Sequence, residues 1–143
     1  MLSQTAETAL RAVLYVAARG GHTELVKLDE IADELRTPRN SLSKTLHALG
    51  RAGVLASVRG PAGGFRLAVA AERLPLARVV APFDAVGRGR RCLLGRGTCS
   101  DAKPCAAHGS WKGVSEQVTG FFQETMVADL LLQSDTTPLR RRL

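Results

Sequence analysis

The sequence predicts a mainly α-helical protein with one small β-hairpin, in the order of a winged helix-turn-helix domain followed by a long C-terminal helix. Three observations predict it. Apolar residues recur at helical spacing in three successive segments before residue 50. The stretch VLASVRGPAGGFRLAV, residues 54–69, alternates around a tip of Gly60, Pro61, Gly63 and Gly64, as two short strands and a turn would. Beyond residue 110 a helical period returns and persists to Leu131.

Taken in order, residues 4–18 carry Ala6, Ala9, Leu10, Val13, Leu14 and Ala17 on one side of a helix that Gly20 and Gly21 end. LDEIADEL, from Leu28, places Asp29 and Glu30 in a first turn, where they favour the helix dipole, and gathers Ile31, Ala32 and Leu35. A third helix follows three residues later. Thr37 supplies a capping hydroxyl, Pro38 suits a first turn, and Leu42, Leu46 and Leu49 form the buried stripe. Arg39, Asn40, Ser43, Lys44 and His47 then face outward. Gly50 and Gly53 are the expected stop, ahead of the hairpin. Leu74 to Val86 reads as a further helix weakened by Pro75 and Pro82, and the segment after it holds five glycines between Gly87 and Gly109, too many for regular structure. Trp111, Val114, Val118, Phe121, Phe122, Val127, Leu130 and Leu131 mark one long amphipathic helix, and TTPLRRRL is a loose tail.

With 143 residues the chain can bury one core without disulfides. No stretch approaches the roughly 20 apolar residues of a membrane span, and the amino terminus lacks a signal-peptide pattern, so a soluble cytoplasmic protein is expected, with no membrane partner. The formal charge is +7, and its distribution matters more: Arg36, Arg39, Lys44, Arg51, Arg59 and Arg66 fall in a stretch without Asp or Glu. A basic helix with small polar side chains fits a major groove, and Arg59 beside the flexible glycines Gly60, Gly63 and Gly64 could enter a minor groove. The expected partner is double-stranded DNA, contacted through Arg39, Asn40, Ser43, Lys44, Arg51, Arg59, Gly60 and Pro61.

All three cysteines lie in CLLGRGTCSDAKPCAAH, residues 92–108, which closes on one of the three histidines. An odd count in a reducing compartment argues against a disulfide framework and toward metal or redox chemistry. Three thiolates favour soft metals: iron-sulfur, zinc or cuprous copper. The spacing Cys-x6-Cys-x5-Cys-x2-His lacks the short paired knuckles usual for structural zinc. Arg90, Arg91, Arg96 and Lys103 flank the cysteines and would favour thiolates and offset cluster charge, so a metal-free thiol switch stays open.

SVRGPAGGFRL, Ser57 to Leu67, together with Cys92, Cys99 and Cys105, resembles the family of bacterial iron-sulfur winged-helix transcriptional regulators, over about Leu2 to Leu131. The resemblance implies a homodimer that places recognition helix and wing on a palindromic operator, a long C-terminal helix crossing to the partner, and an iron-sulfur cluster. Cys105, His108 and Trp111 match the Cys-x-x-His-x-x-Trp pattern of the iron-sulfur-assembly branch, which implies a 2Fe-2S cluster, favoured over 4Fe-4S, on Cys92, Cys99, Cys105 and His108. Six residues rather than five separate Cys92 from Cys99, a departure from that pattern. Glu7 sits where the nitric-oxide-sensing branch places a carboxylate that reaches the partner subunit's cluster, so two fourth ligands compete. The implied organisation is a DNA-binding domain over 1–73, a connecting helix and cluster loop over 74–109, a dimerisation helix over 110–132 and a flexible basic tail over 133–143.

A different class, a small electron-transfer or metal-carrier protein, would turn the basic block into a docking surface for an acidic partner. Nothing calls for an enzyme: no Ser-His-Asp set, phosphate loop or paired acid-base carboxylates can be read.

Overall fold

The computed structural model describes residues 2–86, 92–94, 97 and 99–132. The chain opens with α1, Gln4–Arg19, capped by Ser3, whose hydroxyl accepts from the Ala6 N–H at 3.1 Å. Ala6, Ala9, Ala12, Val13 and Val16 are fully buried along one side of it, and the small alanines let neighbours approach closely. Helices α2, Leu28–Leu35, and α3, Arg39–Arg51, pack on α1, as do β2, α4 and α6, introduced below. Tyr15 fastens α1 to α2. Its hydroxyl donates to Glu30 Oε1 at 2.7 Å, and Arg19 Nε donates to the same oxygen at 2.9 Å. Burial, then the Glu30 hydrogen bond, push the Tyr15 phenol up to about 12. The raised value keeps this clasp whole below about pH 10, and it weakens only as pH climbs toward the folded value.

The turn between α2 and α3 departs from the sequence expectation. Arg36 takes the left-handed conformation (φ 52°, ψ 45°), and the Thr37 hydroxyl donates to the Leu35 carbonyl at 3.3 Å instead of capping α3. Pro38 is the N-cap, without a side-chain bond. Leu42, Leu46 and Leu49 are fully buried as expected, and α3 runs through Gly50 to Arg51, with Gly53 (φ +75°) making the turn.

The hairpin pairs β1, Leu55–Val58, antiparallel to β2, Gly64–Leu67, with Val58 opposite Gly64. Its tip is a four-residue turn closed by the Gly63 N–H donating to the Gly60 carbonyl at 2.9 Å, Pro61 in second place. Two glycines are sterically required. A side chain on Gly63 would collide with the Val58 carbonyl, and one on Gly64 would stand 2.6 Å from the Val26 carbonyl oxygen. That second approach exists because Val26 and Phe65 exchange two backbone hydrogen bonds at 2.8 Å, tying the segment before α2 to the wing.

The remaining helices differ from expectation in length. Only Leu76–Val80 is helical (α4) within the expected Leu74–Val86 helix, and the expected long C-terminal helix divides into α5, His108–Glu124, and α6, Val127–Leu132. One interaction sets both the start of α4 and the division of the C-terminal helix; α4 ends just before Pro82. Thr125 and Met126 pair with the extended Leu74 and Pro75 just ahead of α4: Leu76 N–H donates to Thr125 O at 2.9 Å, and Val127 N–H to Leu74 O at 2.8 Å. Asp129 caps the restart by accepting from the Met126 N–H at 2.8 Å. The chain thereby folds back onto α1, so that Val127 (0% exposed) and Phe122 (6%) join the same core as the N-terminal helices. The tail 133–143 lies outside the described residues.

Candidate functional site

Two surfaces concern function. The first lies on α3 and the wing. A groove of about 460 Å³ between the start of α2, α3 and the hairpin is lined by Lys27, Arg39, His47, Arg59, Gly60 and Pro61 among others. Four predicted residues, Arg39, Arg59, Gly60 and Pro61, therefore converge there. Arg39 is not solitary: its Nε lies 3.2 Å from Asp29 Oδ1, both side chains about two-thirds exposed. The sequence places Asp29 outside the acid-free stretch, and folding returns it to the edge of the basic surface. His47 stands between helix and wing, its Nδ1 donating to the Ser43 carbonyl at 2.7 Å and its ring edge-on to Phe65 at 6.0 Å.

Lys44 lies on a second groove, of about 570 Å³, with Arg36, Ser41 and the α1 hydroxyls Thr5 and Thr8. Asn40 and Arg51 are exposed on α3, and Ser43 is half-buried. Sequence reading missed Lys27, Thr5 and Thr8, which adjoin these grooves only through tertiary contact.

The second surface is the cysteine segment. Cys92, Cys99, Cys105 and His108 line one cavity of about 370 Å³ with Ser100, Lys103 and Pro104, so all four predicted ligands are brought together. The cysteines are half-buried. Among the described residues no three of His, Cys, Asp and Glu form a preformed metal-ion site. The donor set still fits an iron-sulfur cluster: three thiols and an imidazole around one cavity, with Lys103 to offset negative charge. Arg90, Arg91 and Arg96 lie outside the described residues.

The chain entering this segment is anchored on both sides. Asp84 Oδ2 accepts from the Ser3 N–H at the head of α1 at 2.8 Å, and Val86 O accepts from the Thr119 hydroxyl of α5 at 3.5 Å. His108 is the first residue of α5, its N–H bonded to Cys105 O at 3.0 Å. Glu7 is exposed on the solvent side of α1. His22 is exposed as expected, with Nδ1 3.2 Å from Leu67 O. Trp111 is half-buried.

Tight-turned helices, a wing beside the second of them and cations across both define a winged-helix DNA-binding protein, here with a cysteine-lined cavity attached. A sequence model of the Rrf2 family, described as an iron-dependent transcriptional regulator, matches residues 2–133, and the chain belongs to that family. It is similar to a helix-turn-helix-type transcriptional regulator of Aquifex aeolicus, 35% identical over 133 residues, covering 92% of this chain and 91% of that one. It is also similar to the helix-turn-helix-type transcriptional regulator IscR of Vibrio cholerae, 27% identical over 141 residues, with 99% and 80% covered. Among solved structures it resembles CymR, the global cysteine regulator of B. subtilis, with TM-score 0.79, 18% identity, and 94% and 98% covered, a likeness of fold. The family resemblance and fold class read from the sequence are borne out, and family membership selects a DNA-binding transcriptional regulator over an electron carrier. Among the described residues no helix is long and apolar enough to cross a membrane.

Proposed function

We propose that this chain is a homodimeric regulator that senses iron, redox or nitric-oxide status through an iron-sulfur cluster on Cys92, Cys99, Cys105 and His108, of the 2Fe-2S type, and binds a palindromic operator. The observation that carries the reading is the single cavity shared by those four side chains at the start of α5. When bound, the cluster supplies a redox- and ligand-sensitive centre. The chain's own residues hold it, shield it and connect it to α5. His108 is preferred to Glu7 as the fourth ligand because it lies in the same cavity as the thiols. Anaerobic purification with an absorption spectrum and iron and sulfide analysis tests this. Stoichiometric iron and sulfide, lost in Cys99→Ser, supports it; zinc or metal-free protein overturns it.

A second reading is a metal-free thiol switch, favoured by three half-buried cysteines around one cavity. The same metal analysis decides between the two.

On the DNA side, the proposed contacts are Arg39, Asn40, Ser43, Lys44, Arg51, Arg59, Gly60 and Pro61. In Lys44→Ala, affinity for operator and scrambled duplex should fall together, and the log–log salt slope should flatten by about one unit, as loss of one phosphate contact requires. A folded variant with unchanged slope would remove Lys44 from the interface.

For the dimer, α5 leaves Val114 (49%) and Phe121 (53%) exposed one heptad apart, whereas Leu130 and Val118 pack on the chain's own core. The seam is therefore narrower than the sequence stripe, and a charge at Leu130 would test folding instead. Phe121→Glu should yield folded monomers at micromolar concentration by light scattering, and persistent dimers would place the interface elsewhere.

A further inference from the structure

We infer that Asp101 is a positioning residue for the cluster ligand His108: its carboxylate holds Nε2 of the ring and leaves Nδ1 as the nitrogen that faces iron. The inference rests on the cluster reading above. Asp101 Oδ1 accepts from His108 Nε2 at 2.8 Å and from Lys112 Nζ at 3.2 Å. His108 and Lys112 stand one turn apart on α5, so both reach the same loop oxygen from one side of the helix.

A hydrogen bond between exposed groups on a loop would contribute little to stability. This one differs because its histidine is largely enclosed, the His108 side chain 14% exposed against 58% for Asp101. It also closes the chain from Asp101 to His108 into a ring that contains Cys105 and begins two residues after Cys99, thiols that share the cavity with His108. A carboxylate oxygen only accepts, so the shared proton resides on Nε2. The other nitrogen, Nδ1, then carries the lone pair a metal needs. Histidine ligands commonly donate their second N–H to a carboxylate, which fixes ring rotation and tautomer and raises basicity. Lys112 holds the carboxylate in place and balances its charge, so the loop pays no isolated anion beside three thiolates.

The test uses the full chain as wild type, Asp101→Asn and Asp101→Ala. In metal-free protein, nitrogen NMR of the His108 ring should show the Nε2–H form in wild type and in Asp101→Asn, whose amide oxygen still accepts, and an exchanging mixture in Asp101→Ala. After anaerobic reconstitution, Asp101→Ala should lose cluster about tenfold faster than wild type, the lower end of the effect seen when such partners are removed. Its histidine nitrogen coupling in pulsed EPR of the reduced cluster should change. Asp101→Asn should keep that coupling with a more positive reduction potential, because a charge is lost while the hydrogen bond stays. Wild-type protein without iron and sulfide overturns the cluster reading and this inference together. Wild-type protein with a cluster whose lifetime, coupling and ring tautomer are unchanged in Asp101→Ala overturns this inference alone.

Discussion

Gly63→Val is expected to reduce operator binding to the non-specific level, roughly a thousandfold, while most of the helical signal survives. Gly63 is buried at the end of the turn, and the atoms a side chain would meet are backbone: the Val58 carbonyl and the Arg59 carbonyl carbon, the latter at 2.9 Å. Backbone cannot rotate aside as a flexible side chain can. To admit valine, the Gly60 to Gly63 hydrogen bond must break and the Val58 to Gly64 register must shift, which turns alternate side chains to the wrong face. Arg59, Gly60 and Pro61 would then leave the groove they share with Arg39. Ala62→Ser, at an exposed position of the same turn, is the control. Fluorescence anisotropy on operator and scrambled duplex, beside a circular-dichroism melt, measures both parts; wild-type affinity in Gly63→Val would show that the wing is dispensable.

The second large effect concerns stability. Val127→Asp should destabilise the fold by on the order of 3–5 kcal/mol, a large share of the 5–15 kcal/mol typical of a domain. Val127 is 0% exposed and its N–H is committed to Leu74 O, so a carboxylate there loses water without gaining a partner and the backbone cannot withdraw cheaply. At roughly 3–4 °C per kcal/mol for a chain of this size, the melting temperature should drop by about 10–20 °C. The contrast with Phe121→Glu is informative: one position lies in the core and the other on the surface of adjoining helices. A Val127→Asp protein that melts like wild type but is monomeric would mean that α6 serves a partner subunit instead of its own domain.

The first three helices and the hairpin were legible because their signals are local. Leu42, Leu46 and Leu49 fall on one face whatever surrounds them, and the glycines of the tip leave few alternatives. The break at Thr125 and Met126 was not legible. Neither residue is a helix breaker, and the apolar period continues through Phe122, Val127 and Leu130 because both helices face one core. What interrupts the helix is a bridge to Leu74 through Leu76, distant in sequence. The same bridge delays the start of α4 to Leu76, while its end at Val80 falls just before Pro82. At the site, proximity along the chain sufficed to group Cys92, Cys99, Cys105 and His108. Asp101 carried no signal, since an acid in a glycine-rich loop has no period, and its partnership with His108 depends on where α5 begins.

The anchoring of the chain on either side of the cysteine segment has an evolutionary consequence. Asp84 is bound to Ser3, Val86 to Thr119, and α5 rests on α4, so both ends of the excursion are fixed by contacts that do not depend on what lies between them. By the general scaling of loop closure with length, adding one residue to a connection of roughly twenty raises the entropy cost by only about 0.04 kcal/mol. The extra residue between Cys92 and Cys99 is nearly neutral on that scale, far below the cost of one core methyl group. Mutation can therefore alter the length, ligands and signal of this cassette while the DNA-reading scaffold stays unchanged, and sensor and reader can diverge at different rates within one chain.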